Sequence, residues 1–327
     1  MKQTMKETTK KTGKLLTDFL ENVKTVAIAG HVRPDGDCVG SCLGTYLYLT
    51  ENMPELSVDL YLEEEKGAFG ILPSLKDAKR TFETDRIYDL LILLDISSAD
   101  RIGVASEALK TAKKVIIFDH HKTNRETCDF IYNDPAASSA SEVVSRFMEM
   151  DKISVNCASA LYTGIVHDTG VFRYDSTSPD TMRLAAALME KGIDASTIIS
   201  ETFYKKTYLQ NFILGKTLSE TRLVLNGKVI VGKITSHDKE QYGIKGTDVD
   251  GIVSQMNNTF GVDVSLFMFE TEPETWKVSL RSVKLVDVSR VAGAFGGGGH
   301  IRAAGCTVEG NGDDLEKQIT SEIAKQL

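Results

Sequence analysis

Two apolar runs of strand length, Leu90 to Asp95 and Val115 to Asp119, each end in an aspartate. A strand with one wet face alternates polar and apolar residues, whereas a run that is apolar throughout must be covered on both faces. That demand is met by a parallel sheet with helices on either side. A third short run, Val26 to Gly30, leads into His31. Helix-like segments separate and follow these runs: Val39 to Thr50, Ser138 to Met150 and Val155 to His167, with a first helix expected over Leu15 to Asn22. The alternation predicts an α/β domain with a doubly wound, mainly parallel sheet. In such open sheets functional side chains collect beyond the carboxyl ends of the strands, where His31, Asp95 and Asp119 fall.

The chain has 327 residues, room for two domains of ordinary size. Asp180 to Lys191 and Ala195 to Leu209 read as helices, with a break at Gly192, and the pattern changes after Gly215. From there strands dominate: Lys228 to Thr235, Val262 to Glu270, Trp276 to Val283 and Cys306 to Val308, followed by a closing helix. The expected organisation is a first domain over 1–194, a helical linker over 195–214 and a smaller α+β domain over 215–327.

The densest chemical signal is Gly30-His31-Val32-Arg33-Pro34-Asp35-Gly36-Asp37, between a strand and a helix. Pro34 and Gly36 bend the loop so that His31, Asp35 and Asp37 can converge. Taken alone, such a stretch is equally a solvated turn, because Pro, Asp and Gly are turn residues. Three further segments also deliver Asp or His at the ends of regular elements: Asp95, Asp119-His120-His121, and Asp168 in His167-Asp168-Thr169-Gly170. Singly each reads as a cap or loop aspartate; together they do not. Of six histidines, five lie in these segments or at His300, and the sixth, His237, reads as a surface residue. Carboxylates with imidazoles and no thiolates suit Mn²⁺ first, with Mg²⁺, Co²⁺ and Fe²⁺ as alternatives. A pair of such ions activates water and neutralises phosphoryl oxygens, which implies hydrolysis of a phosphate ester or anhydride.

A second cluster runs Phe295-Gly296-Gly297-Gly298-Gly299-His300, with Arg302 just beyond. Glycines leave backbone N–H groups open to an anion, although glycine runs also serve as linkers. Arg281, inside a predicted strand, is the other candidate for phosphate.

Composition narrows the partners. A net charge of −8 argues against broad grip on long nucleic acid, while local metals and arginines still permit a small phosphorylated substrate. The five cysteines, at 38, 42, 128, 157 and 306, form no CxxC pair and argue for a reducing cytoplasm. The basic N-terminus lacks the apolar run of a secretory signal, and no stretch is long and apolar enough to span a bilayer.

In this order, HVRPDGD, LLD, DHH, HDTG and GGGGH resemble the DHH phosphoesterase family with a C-terminal DHHA1 domain, over about Val23 to Val308. The resemblance implies that His31, Asp35 and Asp95 hold one divalent ion. Asp37, Asp95, His120 and Asp168 would hold a second, with Asp95 bridging. It sets His121, with Asp95 and Asp119, in the catalytic group, His121 facing the substrate phosphate. Arg281, Gly297, Gly298, Gly299, His300 and Arg302 would bind the nucleotide from the second domain, placing the active site in the interdomain cleft. The absence of membrane and sensor segments, the glycine-histidine run and the length point to the stand-alone NrnA-type subgroup. Those enzymes degrade very short RNAs (nanoRNases) and dephosphorylate 3′-phosphoadenosine 5′-phosphate (pAp). A cyclic di-AMP or pApA phosphodiesterase is the alternative, and a catalytically silent nucleotide-binding protein is the alternative of another class. A homodimer is implied by resemblance only.

Overall fold

The structure, a computed structural model, describes residues 13–64, 68–82, 86–122, 124 and 128–327. The chain separates into two compact units, the first ending at Lys205 and the second beginning at Lys206. The division falls inside the segment read from the sequence as a linker.

In the first unit β1 (Thr25–Ala29), β2 (Ser57–Tyr61), β3 (Leu90–Leu94), β4 (Val115–Asp119) and β5 (Phe130–Asn133) form one sheet in the order β2-β1-β3-β4-β5. Every neighbouring pair is parallel. The apolar runs now have their reason. Leu90, Ile92 and Leu94 point into one core layer, and Leu91 and Leu93 into the layer on the opposite face. The helices of this unit are α1 (Gly36–Asn52), α2 (Ala108–Thr111), α3 (Ala140–Ser145), α4 (Val155–Asp168), α5 (Pro179–Met189) and α6 (Ala195–Ile198). The doubly wound, parallel α/β reading holds.

Three helix expectations need correction. Leu15 to Asn22 forms only a single 3₁₀ turn, Leu16–Phe19, because the Leu16 N–H donates to the Phe147 carbonyl and Asp18 folds back onto the Leu15 N–H. Ser138 to Met150 contains only the short α3, which starts where the Ser139 hydroxyl accepts from the Glu142 N–H. Ala195 to Leu209 is interrupted. After α6 comes a π-helical turn, Ile199–Tyr204, then extended backbone at Lys205. At Thr207 a capping box with Gln210 starts a new helix.

That helix is α7 (Tyr208–Glu220), which runs straight through Gly215 and opens the second unit. It is followed by β6 (Arg222–Val224), β7 (Val229–Ile234), α8 (Ser236–Tyr242), α9 (Ile252–Asn257), β8 (Val264–Glu272), β9 (Thr275–Ser282), α10 (Val288–Gly293), β10 (Gly298–His300), β11 (Ala303–Glu309) and α11 (Gly312–Ala324). The mixed sheet has the order β10-β11-β9-β8-β7-β6, with only β7 and β8 parallel. The glycine run is neither a linker nor a free turn. It enters the sheet as β10, paired with β11. A Cβ at Gly297 would lie 2.2 Å from the Gly305 carbonyl oxygen, and one at Gly299, where φ is +145°, would lie 2.5 Å from that of Ala303. Only glycine lets the two strands come this close.

Candidate metal centre

The chain leaves β1 and turns at His31, which is held by a bridge to Ile102 and by the Val32 N–H donating to the Arg101 carbonyl at 2.7 Å. The His31 Nδ1 lies 2.8 Å from the Val32 carbonyl. Donating its proton there, the ring presents the Nε2 lone pair, the usual way a backbone carbonyl fixes the tautomer of a metal-ligating histidine. Asp35 caps α1, with Oδ1 accepting from the Asp37 and Cys38 N–H groups. Asp37 lies two residues on, in the first turn of α1, and is fully buried. Its two carboxylate oxygens accept from the N–H groups of Ala140 at 2.6 Å and Ser141 at 3.0 Å, the first turn of α3.

Asp95, just past β3, has φ of +57°. This left-handed conformation is tolerated by aspartate and swings the carboxylate off the strand axis. It becomes the hub. Oδ2 lies 3.3 Å from His31 Nε2, while Oδ1 lies 3.6 Å from both His120 Nε2 and His121 Nδ1. His120 Nε2 also lies 3.2 Å from Asp168 and 3.8 Å from Asp37. Three groups of potential ligands result: His31, Asp35 and Asp95; Asp37, His120 and Asp168; and Asp95, His120 and His121. Within each, the donor atoms lie within 4.8 Å of one another. All six residues expected as ligands are therefore brought together, three secondary-structure ends and the His31 loop supplying them.

Electrostatics favour a cation here. Burial and the charges of Asp95 and Asp168 push the Asp37 carboxyl well above its usual range. Burial raises Asp168 as well, to about 6. Burial lowers His31 and His120, yet hydrogen bonds to the carboxylates outweigh it, raising His31 strongly and His120 to about 12. Burial alone would raise Asp95, but His120 and His31 bring it well below the ordinary carboxylate value. The carboxylates thus draw the His31 and His120 rings toward their cationic forms. Oxygen and nitrogen donors, a fixed His31 tautomer and mutually repelling carboxylates fit a divalent ion.

Asp119 belongs to none of the three groups. Its Oδ1 lies 2.8 Å from His121 Nδ1, and its Oδ2 accepts from Asn124 Nδ2 at 2.8 Å. That hydrogen bond is the first cause of the raised His121 pKa. Asp119 thus acts on His121 rather than facing the ligand cluster. Asn124, which also donates to the Ile96 carbonyl, carries no signal in the sequence beyond being a loop asparagine.

His167 is not among the ligands. It packs between Phe69 and Phe203, with Nε2 3.0 Å from the Thr202 hydroxyl. Burial pushes its pKa down to about 4. The unfolded chain takes up a proton below about 6.5 and the folded ring does not. The stability His167 contributes is thus complete above that pH and is lost as pH falls toward 4, by roughly 2 to 3 kcal/mol. Thermal melts from pH 7 to 4.5 should fall more steeply for the wild type than for His167→Gln; equal slopes would refute this.

The turn after Asp168 is strained. Gly170, Val171 and Phe172 have consecutive positive φ values of +55°, +59° and +62°. Left-handed backbone costs a non-glycine residue about 1–2 kcal/mol, and a β-branched valine is an outlier there. Thr169 holds the turn: its hydroxyl accepts from the Phe172 N–H, and its carbonyl accepts from the N–H groups of Arg173 and Tyr174.

In the second unit, Arg281 lies on β9 between Ser265 and Ala303. Its Nη1 donates to the Leu280 carbonyl at 3.0 Å. Gly298, Gly299 and His300 are exposed on β10. Arg302 donates to the Val286 carbonyl at 2.9 Å and to the Ser282 hydroxyl at 3.3 Å, so it also fastens the loop after β9 to the β10–β11 hairpin.

Two family models match along the chain: the DHH family N-terminal domain over residues 25–165 and the DHHA1 domain over residues 226–325. The chain belongs to the DHH family. It is 30% identical to the bifunctional oligoribonuclease and PAP phosphatase NrnA of Thermus thermophilus, over 96% of this chain and 94% of that protein. The Bacillus subtilis protein of the same name is 27% identical over 87% of this chain and 89% of that one. The crystal structure of an exopolyphosphatase-related protein from Bacteroides fragilis superposes with a TM-score of 0.85 at 26% identity, covering 94% of both chains. This DHH chain is accordingly a phosphoesterase-type hydrolase, and its acidic and imidazole groups can hold metal ions. Among the described residues no helix is long and apolar enough to cross a membrane.

Proposed function

We propose that the chain is a two-metal phosphoesterase that hydrolyses short oligoribonucleotides to mononucleotides and removes the 3′-phosphate of pAp. The observation that carries this is the sharing of Asp95: one oxygen serves the His31–Asp35 side, the other the His120 side. The names of the full-length relatives support the substrate class. His31, Asp35 and Asp95 are assigned to one ion. Asp37, Asp95, His120 and Asp168 are assigned to the other, with Mn²⁺ the first choice. Such ions, when bound, neutralise phosphoryl oxygens and make water acidic enough to attack.

The protein's own part is positioning and proton control. Asp119 accepts a hydrogen bond from His121 Nδ1–H and shifts the ring toward its cationic form, in which Nε2–H can serve a phosphoryl oxygen or the departing oxygen. In this reading Arg281, Gly297, Gly298, Gly299, His300 and Arg302 bind the nucleotide, the enzyme works in the cytoplasm, and a homodimer is the form to test by light scattering.

Product analysis with Mn²⁺ tests the reading. The panel comprises pApA, other RNA dinucleotides, a long RNA, pAp, cyclic di-AMP and pyrophosphate. Mononucleotides from dinucleotides and AMP from pAp are expected, with long RNA slow. Turnover of cyclic di-AMP in preference to dinucleotides would replace the reading with a signalling phosphodiesterase. Turnover of pyrophosphate alone would reject it.

A further inference from the structure

Resting on that nucleotide reading, the strained turn beside Asp168 gains a purpose. Its inward side is anchored: Thr169 is fully buried, and the Phe172 ring packs on Tyr162 with centroids 6.0 Å apart. Its outward side carries Arg173 and Tyr174. The Tyr174 ring lies directly over Gly170, where a Cβ would come within 2.5 Å of it. Glycine at 170 therefore serves both the backbone and the ring. Val171 and Phe172 pack against the core and hold the strained backbone in place, while Tyr174 remains 47% exposed on the outward side. Strained backbone held this way collects at functional sites.

Arg173 sharpens the point. The protein has 46 acidic against 38 basic residues, and the arginine lies five residues from Asp168. Nevertheless, among the described residues, its guanidinium meets only the Tyr174 ring, at 5.6 Å from the centroid. A guanidinium beside a half-exposed aromatic ring presents two chemistries together, a fork for phosphate and a ring surface for a base. Both are needed by one class of ligand, a nucleoside monophosphate unit. The Asp168 carboxylate at the start of this turn is 27% exposed, so the ligand cluster is open to solvent where the turn begins.

We propose that Tyr174 and Arg173 form a nucleotide platform at the rim of the ligand cluster, Tyr174 stacking on the base and Arg173 holding a phosphate of the same short strand. Stacking on an aromatic is tolerant of base identity, as an enzyme clearing short RNAs of any sequence requires. The hydrogen bonds that the Arg173 and Tyr174 N–H groups donate to the Thr169 carbonyl preorganise the platform, so binding loses little entropy in ordering it.

The test pairs kinetics with a binding signal that needs no turnover. For RNA dinucleotides, Tyr174→Ala should raise KM by about tenfold with kcat nearly kept, and Tyr174→Phe should restore KM. Arg173→Ala should raise KM similarly, with Arg173→Lys recovering part of it. In Mg²⁺, the product mimic 2-aminopurine riboside 5′-monophosphate should lose fluorescence on binding wild type and Tyr174→Phe, but not on binding Tyr174→Ala. If Tyr174→Ala fails to fold, Tyr174→Leu, which keeps apolar volume without a stacking face, carries the same comparison. Dinucleotide cleavage with KM and quenching unchanged in the alanine or leucine variant would overturn the platform and leave the functional reading intact. A wild type that cleaves no dinucleotide would reject that reading and the platform with it.

Discussion

Replacing Asp95 by asparagine is expected to lower kcat/KM by at least about 10³-fold, equivalent to roughly 4 kcal/mol of transition-state stabilisation. The amide keeps the size of the side chain but removes its charge and one of its two acceptor oxygens. Both oxygens are in use: Oδ2 toward His31, and Oδ1 toward His120 and His121. No other carboxylate of the cluster belongs to more than one ligand group. Losing Asp35 would weaken one side and losing Asp168 the other, whereas losing Asp95 weakens both. Metal content measured on the same preparation should fall with activity.

The fold itself should survive this change. After burial, the charge of Asp95 is the leading cause of the raised Asp37 pKa, so its removal relieves that repulsion in the metal-free protein and offsets the lost attraction to His120 and His31. The metal-free melting temperature should stay near that of the wild type, which separates loss of function from loss of structure. Asp313→Asn serves as the surface control, because its partner Lys233 also pairs with Glu316. An Asp95→Asn enzyme within about tenfold of wild type and fully metallated would refute the shared-carboxylate reading.

The sequence made the site legible because its ligands stand at the ends of strands that announce themselves. Leu90–Leu94 and residues 115–118 are apolar without a break, so their ends are legible to within one residue. The strands that escaped lack that mark. Ser57–Tyr61 mixes polar and apolar residues at the sheet edge, and Phe130–Asn133 is only 4 residues long. The glycine run was visible as a feature but not as a strand, since its pairing with β11 depends on a close approach that no local propensity encodes. Asn124 and the α3 N–H groups that hold Asp37 were invisible for another reason. They act across sequence separations of 5 and about a hundred residues, through donors that every loop or backbone possesses.

The same blindness hid the glycines of α1, and they carry the second large effect. Gly36, Gly40 and Gly44 recur every fourth residue and so share one face of the helix. That face lies against α4. A Cβ on Gly40 would stand 2.6 Å from both the Ala160 carbonyl oxygen and the Gly164 nitrogen. One on Gly44 would meet the Leu161 side chain, and one on Gly36 the His167 ring. At Gly40 the obstruction is backbone and cannot rotate aside. The close crossing serves the site, because the first turn of α1 carries Asp37 and the last residue of α4 is Asp168. Glycine to alanine in a helix normally gains about 1 kcal/mol. At Gly40 the sign should invert: forced overpacking costs about 1–3 kcal/mol or more, and the upper end applies where backbone must move. For a unit of this size the melting temperature should drop by about 5 to 10 °C. Activity should fall with it, as Asp37 and Asp168 are pushed apart. Gly215→Ala supplies the opposite case. It lies within α7, its Cβ would meet nothing within 4 Å, and it should melt slightly higher than wild type. A Gly40→Ala protein as stable as Gly215→Ala would mean that α1 and α4 do not cross this closely, and the approach of Asp37 to Asp168 would need another cause.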